Sequence, residues 1–324
     1  MGYVGRDEYE YARLRNNELN TIEQAARRLA QLRSAGVDAS ADAVTAPREI
    51  NGELVAPHSG AEREFHAPIL KGSDEAARPD QGFTSPQVEI NLDRLSAMGY
   101  ISPLAPSSRR AEEFRMVKRP LLNKARGNSA APVVNANRIM VTSALPREGK
   151  TFVSINLALS IALERDTTVL LIDADATLPA VLERLALLPA RGLLDVLSEP
   201  DLDVQSVLLR TNVERLSILP AGTLQDNATE LLASKRMSAL LEKLEARFPN
   251  RVLVFDAPPL LGSTESRVLA AHMGQIVLVI EADSTPQRQV NDALAALESC
   301  PVVMTLLNKA SSSEAGSYYG SRDN

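Results

Sequence analysis

The amino-acid sequence predicts an α/β fold built on a mostly parallel, doubly wound sheet, and three observations support this class. Short apolar segments alternate with segments of helical periodicity from Arg138 onward. The apolar segments show no polar alternation, which is typical of strands that helices cover on both faces. One of them leads into a Gly-Lys-Thr loop and two others end in aspartate, and ligands bind such sheets at the carboxyl ends of the strands.

The alternation predicts six strands and six helices. The strands are Arg138–Thr142, Thr168–Ile172, Leu216–Leu219, Arg251–Phe255, Gln275–Ile280 and Val302–Leu307. The helices are Thr151–Glu164, Ala180–Leu187, Leu193–Leu197, Ala228–Arg247, Ser263–Ala271 and Pro286–Leu297. Upstream, Leu92, Leu95 and Met98 recur at helical spacing. A further helix from Arg110 is expected to kink or end at Pro120, because proline lacks the N–H that a helix interior needs.

The chain is expected to comprise four segments. They are a tail with a short amphipathic helix (1–36), a disordered linker (37–87), the α/β domain (88–309) and a flexible tail (310–324). The linker is rich in Ala, Pro, Glu, Asp, Gly and Ser and lacks periodicity, as disordered segments do. The apolar stripe of the amino-terminal helix fits packing on the protein's own surface or docking on another protein, and the sequence leaves both open.

Composition excludes several function classes. The 324 residues are 44% apolar, enough for a sizeable core, and carry a net charge of -6 without a long basic block, which argues against nucleic-acid binding. The single cysteine, Cys300, excludes an intramolecular disulfide. The first residues form no secretory signal and no apolar run reaches about 18 residues, so we expect a soluble, cytoplasmic protein.

The segment from Ser143 to Thr151 has the layout of a P-loop, because it joins an apolar strand to a helix and ends in Gly-Lys-Thr. Backbone N–H groups in such a loop bind phosphate. The predicted nucleotide-binding residues of the loop are Pro146, Arg147, Glu148, Gly149, Lys150, Thr151 and Phe152. Lys150 is expected to reach the β- and γ-phosphates, and the Thr151 hydroxyl to ligate Mg²⁺. Ala144 replaces the usual opening glycine, so an ordinary strand-to-helix turn is the alternative interpretation.

Two apolar strands deliver carboxylates to the same edge of the predicted sheet. Asp173 and Asp175 follow the strand that ends at Ile172, and Asp256 follows Phe255. Mg²⁺ takes oxygen ligands and keeps several waters, so the predicted metal ligands are Thr151, Asp173 and Asp256. A lone aspartate in this position is often a helix N-cap or turn former, and that is the alternative for each of them.

The motifs together resemble those of the bacterial tyrosine kinases, which are P-loop proteins. The matching segments are Ala144–Thr151, Leu171–Asp175, Leu219–Gly222, Asn227–Leu232 and Phe255–Pro259. The resemblance covers roughly Ser108 to Asn308. It places the chain among P-loop NTPase folds.

Two further segments carry the resemblance. Glu112, Arg115 and Lys118 are similar to the family's Glu-x-x-Arg-x-x-Arg subunit-contact helix, with lysine in the last place. The alternative is a solvated helix face with weak ion pairs. The amino-terminal helix and Asn91–Pro120 are most similar to the soluble autokinases of exosortase-linked exopolysaccharide gene clusters.

The resemblance implies an ATP- and Mg²⁺-dependent protein-tyrosine autokinase that regulates exopolysaccharide synthesis or export. Tyr318 and Tyr319 are the expected phosphate acceptors, chiefly on a neighbouring copy in a homo-oligomer. Asp173 is the first candidate for the general base and Asp175 the second. Asn308 resembles the adenine-contacting position, with a strand-end turn residue as its alternative. The implied partner is a membrane polysaccharide chain-length or export protein that recruits the chain to the inner face of the plasma membrane.

Two departures from the family keep other functions open. Thr177 stands where the second motif usually has arginine, and two tail tyrosines replace the usual longer run. A non-catalytic nucleotide-binding regulator of a polysaccharide-assembly protein is therefore one alternative. An ATPase positioning switch of the chromosome-partitioning type is another. Those switches carry a second lysine where this chain has Leu145.

Overall fold

The computed structural model describes residues 85–128 and 131–310, and an eight-stranded sheet forms their centre. The strands are β1 Gln87–Val88, β2 Arg138–Ser143, β3 Thr168–Asp173, β4 Leu209–Thr211, β5 Leu216–Leu219, β6 Arg251–Asp256, β7 Gln275–Glu281 and β8 Val303–Asn308. They lie in the order β1-β4-β5-β3-β6-β2-β7-β8. Every neighbouring pair is parallel except β4 and β5.

Helices cover both faces of this sheet. They are α1 Leu92–Ala97, α2 Arg109–Ala125, α3 Lys150–Ala162, α4 Val181–Arg184, α5 Leu193–Ser198, α6 Val204–Val207, α7 Ala228–Leu232, α8 Lys235–Arg247, α9 Thr264–Ala270 and α10 Gln287–Ala295. Along β2, Ile139 and Val141 enter one core cluster, while Met140 between them enters the cluster on the opposite face. Because both faces are buried, the strands are apolar throughout, and the predicted doubly wound sheet is confirmed.

Several predicted boundaries differ from the structure. The predicted helix Ala228–Arg247 is two helices, because Ser234 starts α8 by accepting a hydrogen bond from the Met237 N–H (3.3 Å). The predicted helix Ala180–Leu187 shortens to the single turn α4. β4 and α6 are too short to show periodicity in the sequence, and neither is predicted.

The carboxyl-terminal end of the predicted linker (37–87) is part of the sheet, which corrects that boundary. Gln87 and Val88 form β1 and pair with β4. The Arg210 N–H donates a 2.8 Å hydrogen bond to the Pro86 carbonyl. A strand of two residues is too short to show hydrophobic periodicity in the sequence. Pairing with β4 therefore gives this segment its conformation.

Helix α2 runs through Pro120 to Ala125, so of the two expected effects of the proline, a kink or an end, the end is wrong. A proline inside a helix costs about 3 kcal/mol. Leu121 and Leu122 in the next turn are 0% and 2% exposed. Burial of two leucines contributes about 3–6 kcal/mol, which offsets the proline and continues the helix.

Lys118 lies in the core. The sequence had suggested that it lies on a helix face that contacts another subunit or that is solvated, and neither interpretation holds for this residue. Residues six apart on a helix are rotated by about 120°, so Lys118 leaves the exposed face that carries Glu112 and turns inward. The residue is 4% exposed, and its Nζ donates to the Ser160 carbonyl (2.6 Å) and pairs with Glu164 (2.8 Å) at the end of α3. Glu112 and Arg115 pair with each other on the outer surface.

Some predictions fall outside the described residues. These are the amino-terminal helix, the linker before residue 85, and the tail with Tyr318 and Tyr319. Among the described helices, none combines the length and apolar character that crossing a bilayer requires.

Candidate active site

The loop between β2 and α3 has backbone conformations that its sequence explains. Gly149 is the N-cap of α3 and has φ +97°, a left-handed conformation that favours glycine. A Cβ atom there would lie 2.1 Å from Asn308 Nδ2, so a side chain at this position would displace the Asn308 amide. Arg147 has φ +71°, whereas Ala144 is fully buried and has no positive φ. Ala144 can therefore replace the usual glycine without backbone strain.

One distant segment, the end of β8 with the residue after it, and one contact within the loop hold its conformation. The Asn308 side-chain amide donates to the Glu148 carbonyl (2.8 Å), and the Lys309 ammonium donates to the Arg147 carbonyl (2.8 Å). The Glu148 carboxylate accepts a hydrogen bond from the Leu145 N–H (2.7 Å). Asn308 thus contacts the P-loop backbone, and its predicted contact with adenine stays a prediction.

Asp173 lies at the end of β3 with its side chain 1% exposed. Its Oδ2 accepts hydrogen bonds from the N–H groups of Ala180 (3.1 Å) and Val181 (3.0 Å), where α4 begins. Burial, together with the charge of Asp256, raises its pKa to about 7. Asp173 therefore has the helix-capping contacts that the sequence offered as its alternative role, and it also lies next to the other carboxylates.

Asp175 forms an ion pair with the P-loop lysine. The Lys150 Nζ lies 2.6 Å from Asp175 Oδ2, and both side chains are largely buried. The other carboxylate oxygen accepts hydrogen bonds from the N–H groups of Thr177 (3.3 Å) and Leu178 (2.9 Å). Burial opposes the charged ammonium, yet the charges of Asp256 and Asp175 outweigh it and raise the pKa of Lys150.

Asp256 ends β6 beside Asp173, and the two residues are register partners on adjacent strands. It is fully buried, and its Oδ1 accepts a hydrogen bond from the Ser154 hydroxyl (3.0 Å). Within the described part of the chain, its Oδ2 is buried without a hydrogen-bond partner. Burial raises the pKa of Asp256 to about 6, although the charge of Lys150 acts in the opposite direction.

The charges at this edge of the sheet fit a divalent cation. Three buried carboxylates face one ammonium group, and burial raises the pKa values of two of them, Asp173 and Asp256. The bare Oδ2 of Asp256 fits a ligand of a hydrated ion. The described residues contain no group of three His, Cys, Asp or Glu side chains able to hold a metal alone. A Mg²⁺ ion that takes phosphate oxygens and waters does not need one.

The remaining predicted residues lie around this centre. Thr151 is buried on the first turn of α3, and Thr177 is exposed at the rim, where the family's arginine is replaced. The Phe152 ring packs against Tyr100 (centroids 5.0 Å apart) and beneath the Arg110 guanidinium, so only its backbone is placed to act in the loop. Leu145 stands where the chromosome-partitioning ATPases carry a second lysine. Its apolar side chain packs against the core.

The structure thus brings Lys150, Thr151 and the three strand-end aspartates together at one edge. Two residues of the site were not predicted from the sequence: Ser154, which contacts Asp256, and Thr285, whose hydroxyl donates to the Glu148 carboxylate. Ser154 lies one helical turn after Lys150, and this spacing indicates that both residues lie on the same face of the helix. Thr285 lies in a loop far along the chain and had none.

A P-loop opening a buried helix, with aspartates at the ends of neighbouring parallel strands, defines a phosphate-binding protein of the P-loop class. No protein-family model matches the chain. The chain is 31% identical over 229 residues to the tyrosine-protein kinase YwqD of Bacillus subtilis (strain 168), a match that covers 69% of this chain and 92% of that protein. It therefore belongs to the bacterial tyrosine-protein kinases and is a protein-tyrosine kinase.

Two other comparisons concern a longer relative and a solved structure. Over 219 residues the chain is 31% identical to the succinoglycan biosynthesis transport protein ExoP of Rhizobium meliloti (strain 1021), which covers 66% of this chain and 27% of ExoP. The chain therefore corresponds to about a quarter of that longer relative. Among solved structures, the kinase domain of Escherichia coli tyrosine kinase ETK matches with a TM-score of 0.55 over 71% of this chain and 93% of that domain, at 23% identity. This match confirms the fold.

Proposed function

We propose that the chain transfers the γ-phosphoryl group of Mg-ATP to Tyr318 and Tyr319 of its own kind, chiefly on a neighbouring copy. The observation that carries this proposal is the meeting of Lys150 with Asp173, Asp175 and Asp256 at the P-loop. Phosphoryl transfer requires positioning and charge stabilisation more than covalent chemistry. The described site supplies phosphate-binding amides, one ammonium group and surplus carboxylate charge.

The residues divide the work by their chemistry. The amides from Arg147 to Phe152, with Lys150, bind the phosphates and neutralise their charge. Thr151 and Asp256 would hold the Mg²⁺ ion, with Asp173 as the third candidate ligand. The ion supplies charge stabilisation to the phosphates when it is bound. When nucleotide takes Lys150, Asp175 loses its present partner and becomes an available carboxylate.

Asp173 is the proposed base for the acceptor tyrosine. The phenol oxygen attacks the γ-phosphorus, the bond to the β–γ bridging oxygen breaks, and the phenolic proton passes to the carboxylate. The position of Asp173 at the end of β3, directly beside Asp256 on the adjacent strand, supports this choice. Asp175 is the second candidate. Comparing Asp173→Asn with Asp175→Asn under saturating ATP tests the order, with the larger fall in kcat expected for Asp173→Asn.

The length of the acceptor tail limits how far its tyrosines can reach. Tyr318 lies ten residues beyond Asn308, which ends β8 at the P-loop. A chain of that length spans at most about 33–36 Å. Each added phosphate brings about -1.5 to -2 charge, which the aspartates of the site repel. We therefore expect ATP to reduce the size of the homo-oligomer, and an unchanged size in sizing chromatography contradicts this coupling.

The biological role that we propose is regulation of exopolysaccharide synthesis or export through a membrane chain-length or export protein. ExoP, a succinoglycan biosynthesis transport protein, supports this role. In this proposal the partner holds the chain at the inner face of the membrane. A Lys150→Met strain should make polysaccharide of altered length or amount, and an unaltered polymer contradicts the role while leaving the kinase reaction intact.

Intact mass before and after incubation with Mg-ATP tests the reaction itself. The expected result is a gain of one or two phosphates that is lost in Lys150→Met and in the double variant Tyr318→Phe with Tyr319→Phe. Phosphate release without labelled protein selects the ATPase switch instead. Neither release nor labelling selects the non-catalytic regulator.

A further inference from the structure

Glu148 is a carboxylate buried inside a loop whose proposed ligand is itself negatively charged. Its side chain is 2% exposed, and no ion pair with it exists within residues 85–128 and 131–310. Its Oε2 accepts a hydrogen bond from the Leu145 N–H (2.7 Å), and its Oε1 accepts one from the Thr285 hydroxyl. Both oxygens are therefore used inside the protein.

Thr285 is itself fixed by the end of β7. Its hydroxyl accepts a hydrogen bond from the Glu281 N–H (3.1 Å), and its own N–H donates to the Glu281 carbonyl (3.2 Å). The same end of β7 pairs with Asn308 at the end of β8, whose side chain bonds the Glu148 carbonyl. Glu148 is thus held twice, through its carboxylate by β7 and through its backbone by β8.

We propose that Glu148 is a positioning residue, which fixes the P-loop in its phosphate-binding arrangement through Thr285 and does not contact nucleotide or metal with its carboxylate. The inference rests on the proposed function, in which this loop binds a Mg-nucleotide. The Leu145 N–H donates inward to Glu148, so the carboxylate ties the start of the loop to its end. A loop ordered beforehand binds more tightly, because ligand binding does not have to fix its backbone.

The chemistry of the contact distinguishes this role from direct ligand binding. Glutamine in place of Glu148 keeps one oxygen for the Leu145 N–H, and its NH₂ group can donate to the Thr285 hydroxyl, which then reverses its direction. A positioning role therefore survives Glu148→Gln. A role that depends on negative charge, such as metal coordination, does not.

The experiment measures the Kd of methylanthraniloyl-ADP with Mg²⁺ by fluorescence for the full chain and its variants. We expect Glu148→Gln to stay within about threefold of the wild type, and Glu148→Ala to bind about tenfold more weakly or worse. Thr285→Val should weaken binding about three- to tenfold. In the Glu148→Ala background, Thr285→Val should add less than about twofold, because its partner is already gone.

A matched control is Thr305→Val, which changes an exposed threonine on β8 and should leave the Kd unchanged. The inference is overturned if Glu148→Gln binds as poorly as Glu148→Ala, or if Thr285→Val binds as tightly as Thr305→Val. A wild-type chain that does not bind the probe overturns the proposed function as well, so the two failures are distinguishable. Should Glu148→Ala fail to fold by circular dichroism, the comparison of the two threonine variants and Glu148→Gln decides.

Discussion

Asp256→Asn is expected to stabilise the nucleotide-free protein while it removes kinase activity. Burial raises the pKa of Asp256 from 3.8 to about 6, so its ionised form is unfavourable in the folded state. A difference of about 2 pKa units corresponds to about 3 kcal/mol. Because Asp173 shares the repulsion, we expect a gain of about 1–3 kcal/mol in the free energy of unfolding at about pH 8. Asparagine keeps an oxygen for the Ser154 hydroxyl, so the packing contact survives.

The pH dependence follows from the direction of the shift. In the unfolded chain the carboxyl ionises near pH 3.8, whereas in the folded protein it resists ionisation up to about pH 6. The wild type therefore loses stability from this group as the pH rises from about 4 to about 6. Asp256→Asn lacks that loss, so the two proteins should differ little below about pH 4 and most above about pH 6.

Urea unfolding followed by circular dichroism, without nucleotide or Mg²⁺, measures the difference at about pH 4 and about pH 8. Asp226→Asn, which neutralises an exposed aspartate, is the matched control and should change stability by less than about 0.5 kcal/mol. Autophosphorylation of Asp256→Asn should fall at least about 100-fold, because the proposed metal ligand is lost. A variant that is less stable than the wild type at about pH 8 would refute the idea that the buried, ionised Asp256 destabilises the folded state.

Three further predictions concern other contacts. Lys118→Met should lower the free energy of unfolding by about 2–4 kcal/mol, because it breaks a buried contact with the end of α3. The control Arg119→Met, at an exposed position, should change the free energy of unfolding by less than about 0.5 kcal/mol. Urea unfolding measures both variants, and equal losses of stability would contradict the buried role of Lys118. Gly149→Ala should weaken nucleotide binding about tenfold in a fluorescence titration, since φ +97° and the nearness of Asn308 oppose a side chain there, and undiminished affinity would contradict this. Lys150→Met should reduce incorporation of labelled phosphate at least about 100-fold, and activity near that of the wild type would sink the assigned role.

Much of the site was predictable because its parts lie in short segments with a known direction. Lys150 and Thr151 follow one buried strand, and Asp173 and Asp256 end two others. Parallel strands bring their carboxyl ends to one edge, so residues far apart in the chain meet there without further information. To predict the site, it was enough to know which segments are strands and in which direction they run. Both follow from the apolar segments and their alternation with helices.

The same reasoning failed for contacts that depend on the mutual placement of elements. Helical spacing put Lys118 near Glu112 and Arg115, but it could not say that α3 covers the side where Lys118 emerges. Pro120 looked like a helix end because propensity ignores the two buried leucines that follow it. In both cases burial against another element outweighed the local signal.

The sequence by itself determined the parallel sheet, the P-loop and the edge at which the aspartates gather. Each of these depends on the order of residues within a short segment or on the apolar composition of a single strand. Only the tertiary structure decided how the loop is held, since Glu148 meets Thr285 across 137 positions and Asn308 across 160. Hydrogen bonds over such separations exist only once the strands have packed side by side. They therefore leave no pattern in the sequence from which they could be predicted.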